Sequence, residues 1–170
     1  MYINDIHILY YVLFGFIGIV VGQITDWCNI RLSEYKKVIS KEFFKMYFKN
    51  FIPKYILMFI TAIIYIGILY TYGLADLKTY SYMILTPMLL SVIVIDYKKQ
   101  IIPNRLTLTM FEFGLIFAFL QGISNLNVAI DSILGMIVGV GIFLFITFVG
   151  SLISGKEAMG FGDVKLIGAL

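Results

Sequence analysis

The chain has 170 residues, of which 61% are hydrophobic and only 14% are charged, with a net charge of +3. A soluble domain of this length is not normally so apolar, and runs of about 20 apolar residues are typical of helices that cross a bilayer. The single cysteine, Cys28, excludes an intramolecular disulfide and a cysteine-cluster zinc site within the chain.

Five apolar runs along the chain are long enough to be membrane spans. They cover approximately residues 6–24, 55–72, 80–95, 106–121 and 128–153. A sixth would start at Asp163, with too few residues after it to cross a bilayer. The sequence therefore predicts an all-α, polytopic membrane helix bundle of about six spans, the last incomplete in this chain, forming a single domain over residues 1–170.

Glycines in the first span are spaced three and four apart, at Gly15, Gly18 and Gly22, so they share one helical face. Small residues on one face allow a second helix to approach closely. The alternative, that these glycines are merely tolerated in lipid, is equally compatible with the sequence. Gly135 and Gly139 in the fifth span are predicted to be a second close-packing pair.

The segment between the first two spans, residues 31–54, is basic and aromatic. Its seven Lys and Arg residues alternate with Phe43, Phe44, Tyr47, Phe48 and Phe51 at helical spacings. This pattern predicts a basic amphipathic helix lying on the cytoplasmic membrane surface, with the lipid bilayer as its partner. Binding of nucleic acid is the weaker alternative, because nothing else in the chain supports it, and we expect no nucleic-acid partner.

A polar patch, formed by Asp26, Asn29 and Arg31, follows the first apolar run. We expect it to anchor the end of that span at the membrane interface.

The placement of basic residues predicts the membrane topology. If odd-numbered spans run from outside to inside, twelve of the thirteen Lys and Arg residues lie on one side, and only Lys78 lies on the other. Positive charge favours the cytoplasmic side, so the N-terminus is predicted to face outward. The end of the third span and the start of the sixth then share the cytoplasmic side.

Each of those two helix ends carries an aspartate. Asp96 ends the third apolar run and is followed by Ile102-Pro103-Asn104, and Asp163 follows Gly160 and Gly162. Taken singly, Asp163 is explained as a helix N-cap and Asp96 as a solvated helix end opening a hydrated loop. Taken as a pair on one side of a bilayer, acids are costly to retain and indicate function.

Two neighbouring carboxyl groups suit hydrolysis of a peptide bond. They cannot both ionise cheaply, so one keeps its proton. The ionised group takes a proton from water, and the protonated group hydrogen-bonds the scissile carbonyl and later protonates the leaving amine. A helix N-terminus favours negative charge, which makes Asp163 the expected base.

The stretch Glu157-Ala158-Met159-Gly160-Phe161-Gly162-Asp163-Val164-Lys165-Leu166 resembles the second catalytic motif of type IV prepilin peptidases, membrane aspartic proteases of the Gly-x-Gly-Asp type. Asp96 with Ile102-Pro103-Asn104 resembles the first motif. Weaker similarity covers residues 22–32, which resemble the family's first-span exit, and Lys54-Tyr55, which resemble the start of its second span.

The resemblance implies that Asp96 and Asp163 are the catalytic pair, supported by the motif residues Gly160, Gly162, Lys165, Pro103 and Asn104, with no metal and no cofactor. It implies prepilin-like substrates, cut on the cytoplasmic side after a glycine and ahead of an apolar helix. It also implies an integral membrane peptidase domain in the cytoplasmic (inner) membrane of a prokaryote. The sequence does not specify an oligomeric state.

Two alternatives and one departure accompany this resemblance. Many members of the family carry two Cys-x-x-Cys pairs in the first cytoplasmic loop and also N-methylate the product, whereas residues 33–53 contain no cysteine. Methyl transfer is therefore not expected. A preflagellin-type protease is the alternative among enzymes. A non-catalytic transporter with paired acids is the alternative outside them, although a transporter more often places its acids near the bilayer midplane.

Overall fold

The computed structural model describes residues 2–4, 6–34, 54–124, 126–154 and 160–170. Within those ranges, six helices fall into two compact units, Met1–Gln100 and Ile101–Leu170. The first unit holds α1 (Ile8–Ser33), α2 (Tyr55–Tyr72) and α3 (Leu77–Lys99), and the second holds α4 (Asn104–Ser124), α5 (Leu126–Ser154) and α6 (Phe161–Ala169).

The first five of these helices are long and apolar enough to cross a membrane. The predicted all-α, multi-pass membrane architecture is confirmed. The single-domain assignment of residues 1–170 and the membrane topology stay predictions. A short antiparallel ladder between β1 (Tyr2–Ile3) and β2 (Ile6–His7) precedes α1 and was not predicted.

The end of the first span was predicted too early. Helix α1 continues past residue 24 to Ser33, so Arg31 belongs to its last turn instead of to the basic segment. Polar residues from Gln23 onward end the apolar run, but they are buried and remain helical. The surface helix was predicted within residues 31–54, and residues 35–53 of that segment lie outside the described residues. By contrast, α2 has the predicted bounds.

The glycine face of α1 is where α2 makes its closest approach. A Cβ atom added at Gly18 would lie 2.7 Å from Ala62 Cα. One added at Gly22 would lie 2.7 Å from the carbonyl oxygen of Leu57. The fully buried Thr61 hydroxyl donates to the Gly18 carbonyl at 2.6 Å. These glycines are therefore required for helix packing and are not merely tolerated in lipid.

A buried cluster joins the starts of α1 and α3 to the end of α2. It contains Tyr11, Tyr65, Leu69 and Met83, together with Ile6 of β2. The Tyr65 hydroxyl donates to the Met83 carbonyl at 2.7 Å, which satisfies a polar group that would otherwise be costly to bury.

In the second unit, α6 packs on α5 through small residues. A Cβ atom on Gly168 would lie 2.8 Å from Val140 Cγ2, and one on Gly139 would lie 3.0 Å from Ile167 Cγ2. The close-packing role predicted for Gly139 agrees with this contact. A Cβ atom added at Gly135 would have no atom of the described structure within 4 Å, so the close-packing role predicted for Gly135 is wrong within the described residues.

Candidate active site

Asp96 lies in the last turn of α3, and its side chain is exposed. The hydrated loop expected to begin at Asp96 begins later, because residues 97–99 remain helical. Gln100 ends the helix in the left-handed conformation (φ 52°, ψ 40°), and its N–H donates to the Asp96 carbonyl at 2.7 Å. Asp96 is thus held on a regular helix and not on a mobile turn.

Lys99, one turn after Asp96, ties the end of α3 to the end of α1. Its Nζ donates to the Ser33 carbonyl at 2.9 Å. The last carbonyls of a helix have no partner within the helix, and a cation there interacts favourably with the helix dipole.

Asp163 lies in the first turn of α6. The N-cap position belongs to Gly160, with extended backbone angles, so Asp163 is not the N-cap that its ordinary explanation required. Its N–H donates to the Gly160 carbonyl at 3.0 Å, and a Cβ added at Gly160 would lie 3.7 Å from Asp163 Oδ2. The half-buried carboxylate therefore lies beside the helix N-terminus, where negative charge is favoured.

Gly162 has a packing role in addition to its place in the motif. A Cβ atom added there would lie 3.3 Å from Ile102 Cβ, which is tighter than an ordinary contact. Pro103, the next residue after Ile102, is buried, and its carbonyl accepts hydrogen bonds from the N–H groups of Leu106 and Thr107 at the start of α4. A side chain at position 162 would push this turn away from α6.

A second contact joins the same two segments. Lys165 Nζ donates to Asn104 Oδ1 at 3.2 Å and lies 5.6 Å from the centroid of the Phe161 ring. Both partners of the hydrogen bond are exposed. Within the second unit the structure thus brings together Ile102, Asn104, Gly162 and Lys165 from motifs that are far apart in the sequence. Asp96 belongs to the first unit, and its pairing with Asp163 stays a prediction.

The polar patch at the end of α1 is placed differently from the expectation. Asp26, Asn29 and Arg31 are 7%, 3% and 8% exposed, so they are buried and do not face the membrane interface. The spacing of Gly22, Asp26 and Asn29 by four and three residues continues the glycine face, and this periodicity is the signal that predicts their burial.

The described residues contain no group of three or more His, Cys, Asp or Glu side chains placed to hold a metal ion. Among the described residues of the two motifs, the titratable side chains are those of Asp96, Asp163 and Lys165.

Comparison with known protein families identifies the family to which this chain and its motifs belong. Residues 83–170, just over half of the chain, match the Type IV leader peptidase family. The chain belongs to this family. The matched region contains Asp96, Ile102-Pro103-Asn104 and Gly160–Lys165, whereas residues 22–32 and Lys54-Tyr55, the weaker parts of the resemblance, lie outside it.

Curated relatives agree with the family assignment. The chain is similar to proteins named "Prepilin leader peptidase/N-methyltransferase": it is 35% identical to one from Aeromonas hydrophila, over 54% of this chain and 31% of that protein. The Escherichia coli (strain K12) relative is 34% identical over 47% of this chain and 34% of that protein. The Neisseria gonorrhoeae relative is 38% identical over 52% of this chain and 30% of that protein.

These alignments span about a third of the length of the type IV leader peptidase relatives. No solved structure matches the chain significantly.

Proposed function

We propose that this protein is a membrane aspartic endopeptidase that removes the cytoplasmic leader of prepilin-like proteins, with Asp96 and Asp163 as its catalytic pair. The observation that carries the proposal is the packing of Ile102 and Asn104 against Gly162 and Lys165 in the second unit. Asp96 stands six residues before Ile102 in the sequence, and Asp163 directly follows Gly162. These contacts lie within the second unit and support the proposal, in which the pairing of Asp96 with Asp163 is itself part of what is proposed.

The helix positions of the two acids support different roles. Asp163 lies at the N-terminal end of α6, where the dipole and the unpaired N–H groups favour a carboxylate. Asp96 lies near the C-terminal end of α3, where the dipole disfavours one. We therefore assign the base to Asp163 and the retained proton to Asp96 at the start of the reaction.

The reaction then follows from these assignments. Asp163 takes a proton from a water molecule while the water oxygen attacks the scissile carbonyl carbon, and Asp96 donates a hydrogen bond to the carbonyl oxygen. Collapse of the tetrahedral intermediate breaks the C–N bond, and the leaving amine takes the proton of Asp96 while Asp163 keeps the proton from water. The products are the leader's new carboxyl group and the mature protein's new amino group.

The substrate and the side of cleavage are part of the proposal. The relatives' names include prepilin leader peptidase activity, and the distribution of basic residues favours a cytoplasmic location for both acids. We propose cleavage after a glycine that precedes an apolar helix, in the cytoplasmic membrane of a bacterium.

A cleavage assay tests the proposal. The native protein, reconstituted in vesicles, is incubated with a prepilin, and the product is identified by N-terminal sequencing. We expect a new N-terminus directly after the glycine that precedes the apolar segment. Recovery of intact prepilin alone, under conditions in which a known prepilin peptidase cleaves it, contradicts the proposal.

The Asn104–Lys165 hydrogen bond is expected to support catalysis by positioning Asp163. Asn104→Ala and Lys165→Met should each lower the rate of cleavage by about three- to tenfold, the value of one exposed hydrogen bond. Because both variants break the same contact, the double variant should be no slower than the slower single one. Losses that multiply in the double variant would show that the two side chains act independently.

Methyl transfer to the cleaved product is not expected, because the segment between the first two spans carries no cysteine quartet. Mass spectrometry of the product after incubation with S-adenosylmethionine checks this expectation. A mass gain of one methyl group on the new N-terminus would show that methylation here does not need the two Cys-x-x-Cys pairs.

A further inference from the structure

The amide of Asn29 is buried and has no hydrogen-bond partner among the described residues. The residue is 3% exposed, and neither Nδ2 nor Oδ1 forms a hydrogen bond within the described part of the chain. Buried polar side-chain atoms are nearly always hydrogen-bonded in folded proteins, because an unpaired one has lost its hydrogen bonds to water. An amide in this state is suited to binding a group from outside the chain.

Two neighbouring polar side chains of α1, those of Gln23 and Thr25, form hydrogen bonds. Gln23 Oε1 accepts from the Lys54 N–H at 2.9 Å, and Thr25 Oγ1 donates to the Val21 carbonyl at 2.8 Å. The Arg31 guanidinium lies 5.0 Å from the centroid of the Trp27 ring.

Asn29 lies at the same level of the first unit as Asp96. Helices α1 and α3 run parallel, because Tyr11 and Met83, each near the start of its helix, share one buried cluster, and Lys99 bonds the Ser33 carbonyl at the other end. Asn29 precedes Ser33 by four residues and Asp96 precedes Lys99 by three. At 1.5 Å of rise per residue, these steps amount to about 6 Å and about 4.5 Å.

We propose that Asn29 binds the main chain of the peptide substrate at the level of Asp96, with Oδ1 accepting from a peptide N–H and Nδ2 donating to a peptide C=O. A primary amide presents one acceptor and donors in a single plane, which matches the two groups of an extended peptide. A substrate entering a low-dielectric site needs such partners for its backbone. This inference rests on the proposed function.

Substrate entry must displace the side chains that cover the amide, and pairing with the substrate then restores its hydrogen bonds. The free protein carries an unpaired amide that contributes to binding and weakens folding. Stability and substrate binding should therefore respond to substitution in opposite directions. A purely structural role for Asn29 has the opposite consequence, a loss of stability with unchanged binding.

The test compares Asn29→Leu, which is similar in size but apolar, with the native protein. We expect its thermal unfolding midpoint to be unchanged or raised, since a buried unpaired amide is removed. We expect KM for a prepilin to rise about tenfold or more, with a smaller change in kcat. Asn29→Ala gives a second measurement of KM if leucine does not fit the site.

Thr25→Val is the matched control, because Thr25 is equally buried on the same helix but its hydroxyl bonds locally. Its KM should stay at the native value. Direct binding of a prepilin to protein carrying Asp163→Asn, with and without Asn29→Leu, separates affinity from chemistry.

The outcomes distinguish the inference from the proposed function. If the native protein cleaves the prepilin and Asn29→Leu has an unchanged KM and a lowered unfolding midpoint, Asn29 is structural and the inference is overturned while the proposed function stands. If the native protein neither cleaves nor binds the prepilin, both are overturned.

Discussion

Replacing either Asp96 or Asp163 with asparagine should lower the rate of prepilin cleavage by about 10³-fold or more, as for other cooperating catalytic residues. Asparagine keeps the size of aspartate and still donates a hydrogen bond, but it cannot take a proton from water. In Asp163→Asn the expected base is lost. In Asp96→Asn the hydrogen bond to the substrate carbonyl can persist, but the group no longer protonates the leaving amine.

The two losses should not multiply, because removing one acid already disables the pair. The double variant should therefore be about as slow as the slower single variant. A cleavage time course, read by the conversion of prepilin to the mature form, measures all three rates.

Glu112→Gln is the matched control. Glu112 is an exposed acid in α4, outside both motifs, and its neutralisation should leave most of the activity. The catalytic assignment is falsified if either aspartate variant, inserted and expressed like the native protein, cleaves at a comparable rate.

The substitution Gly22→Ala, which adds one methyl group, should destabilise the first unit by about 1–3 kcal/mol, the usual cost of overpacking. The new Cβ would lie 2.7 Å from the Leu57 carbonyl oxygen and 2.8 Å from Met58 Cα. Backbone atoms of α2 cannot rotate away as a flexible side chain can, so the two helices must separate. Separation also weakens the neighbouring hydrogen bond from Thr61 to Gly18.

Gly67→Ala is the control for the same substitution in the same unit. Gly67 lies within α2, and an added Cβ there meets no atom of the described structure within 4 Å. Because alanine is favoured over glycine inside a helix by about 0.5–1 kcal/mol, this variant should be as stable as the native protein or more stable. Thermal unfolding in detergent compares the two. Equal midpoints for Gly22→Ala and Gly67→Ala would show that α1 and α2 are not in close contact at Gly22.

Hydropathy located the membrane-spanning helices well, and it placed the ends of α2 correctly. It failed at the end of α1 because it registers where apolar residues stop, whereas a helix stops where its backbone hydrogen bonds stop. Gln23 and Asn29 are polar, yet they remain helical and buried. The same reasoning put the loop after Asp96 too early, since Tyr97 to Lys99 are polar or exposed but helical.

The glycines of α5 show a second limit of prediction from residue spacing. Gly135 and Gly139 have the same spacing as a packing motif, and the sequence treats them alike. Only the position of α6 separates them, because Ile167 lies against Gly139 and no described atom lies near Gly135. A small residue permits close approach, but the partner helix determines where that approach occurs.

The membrane-spanning character, the motif residues and the family are all readable from the amino-acid sequence, because apolar length and short motifs are local properties of the chain. Helix packing places Ile102 and Asn104 against Gly162 and Lys165, and it buries Asn29 with no hydrogen-bond partner among the described residues. Contacts between residues about sixty positions apart depend on how the helices pack. Helix packing depends on side-chain shape, and neither hydropathy nor motif spacing contains that information.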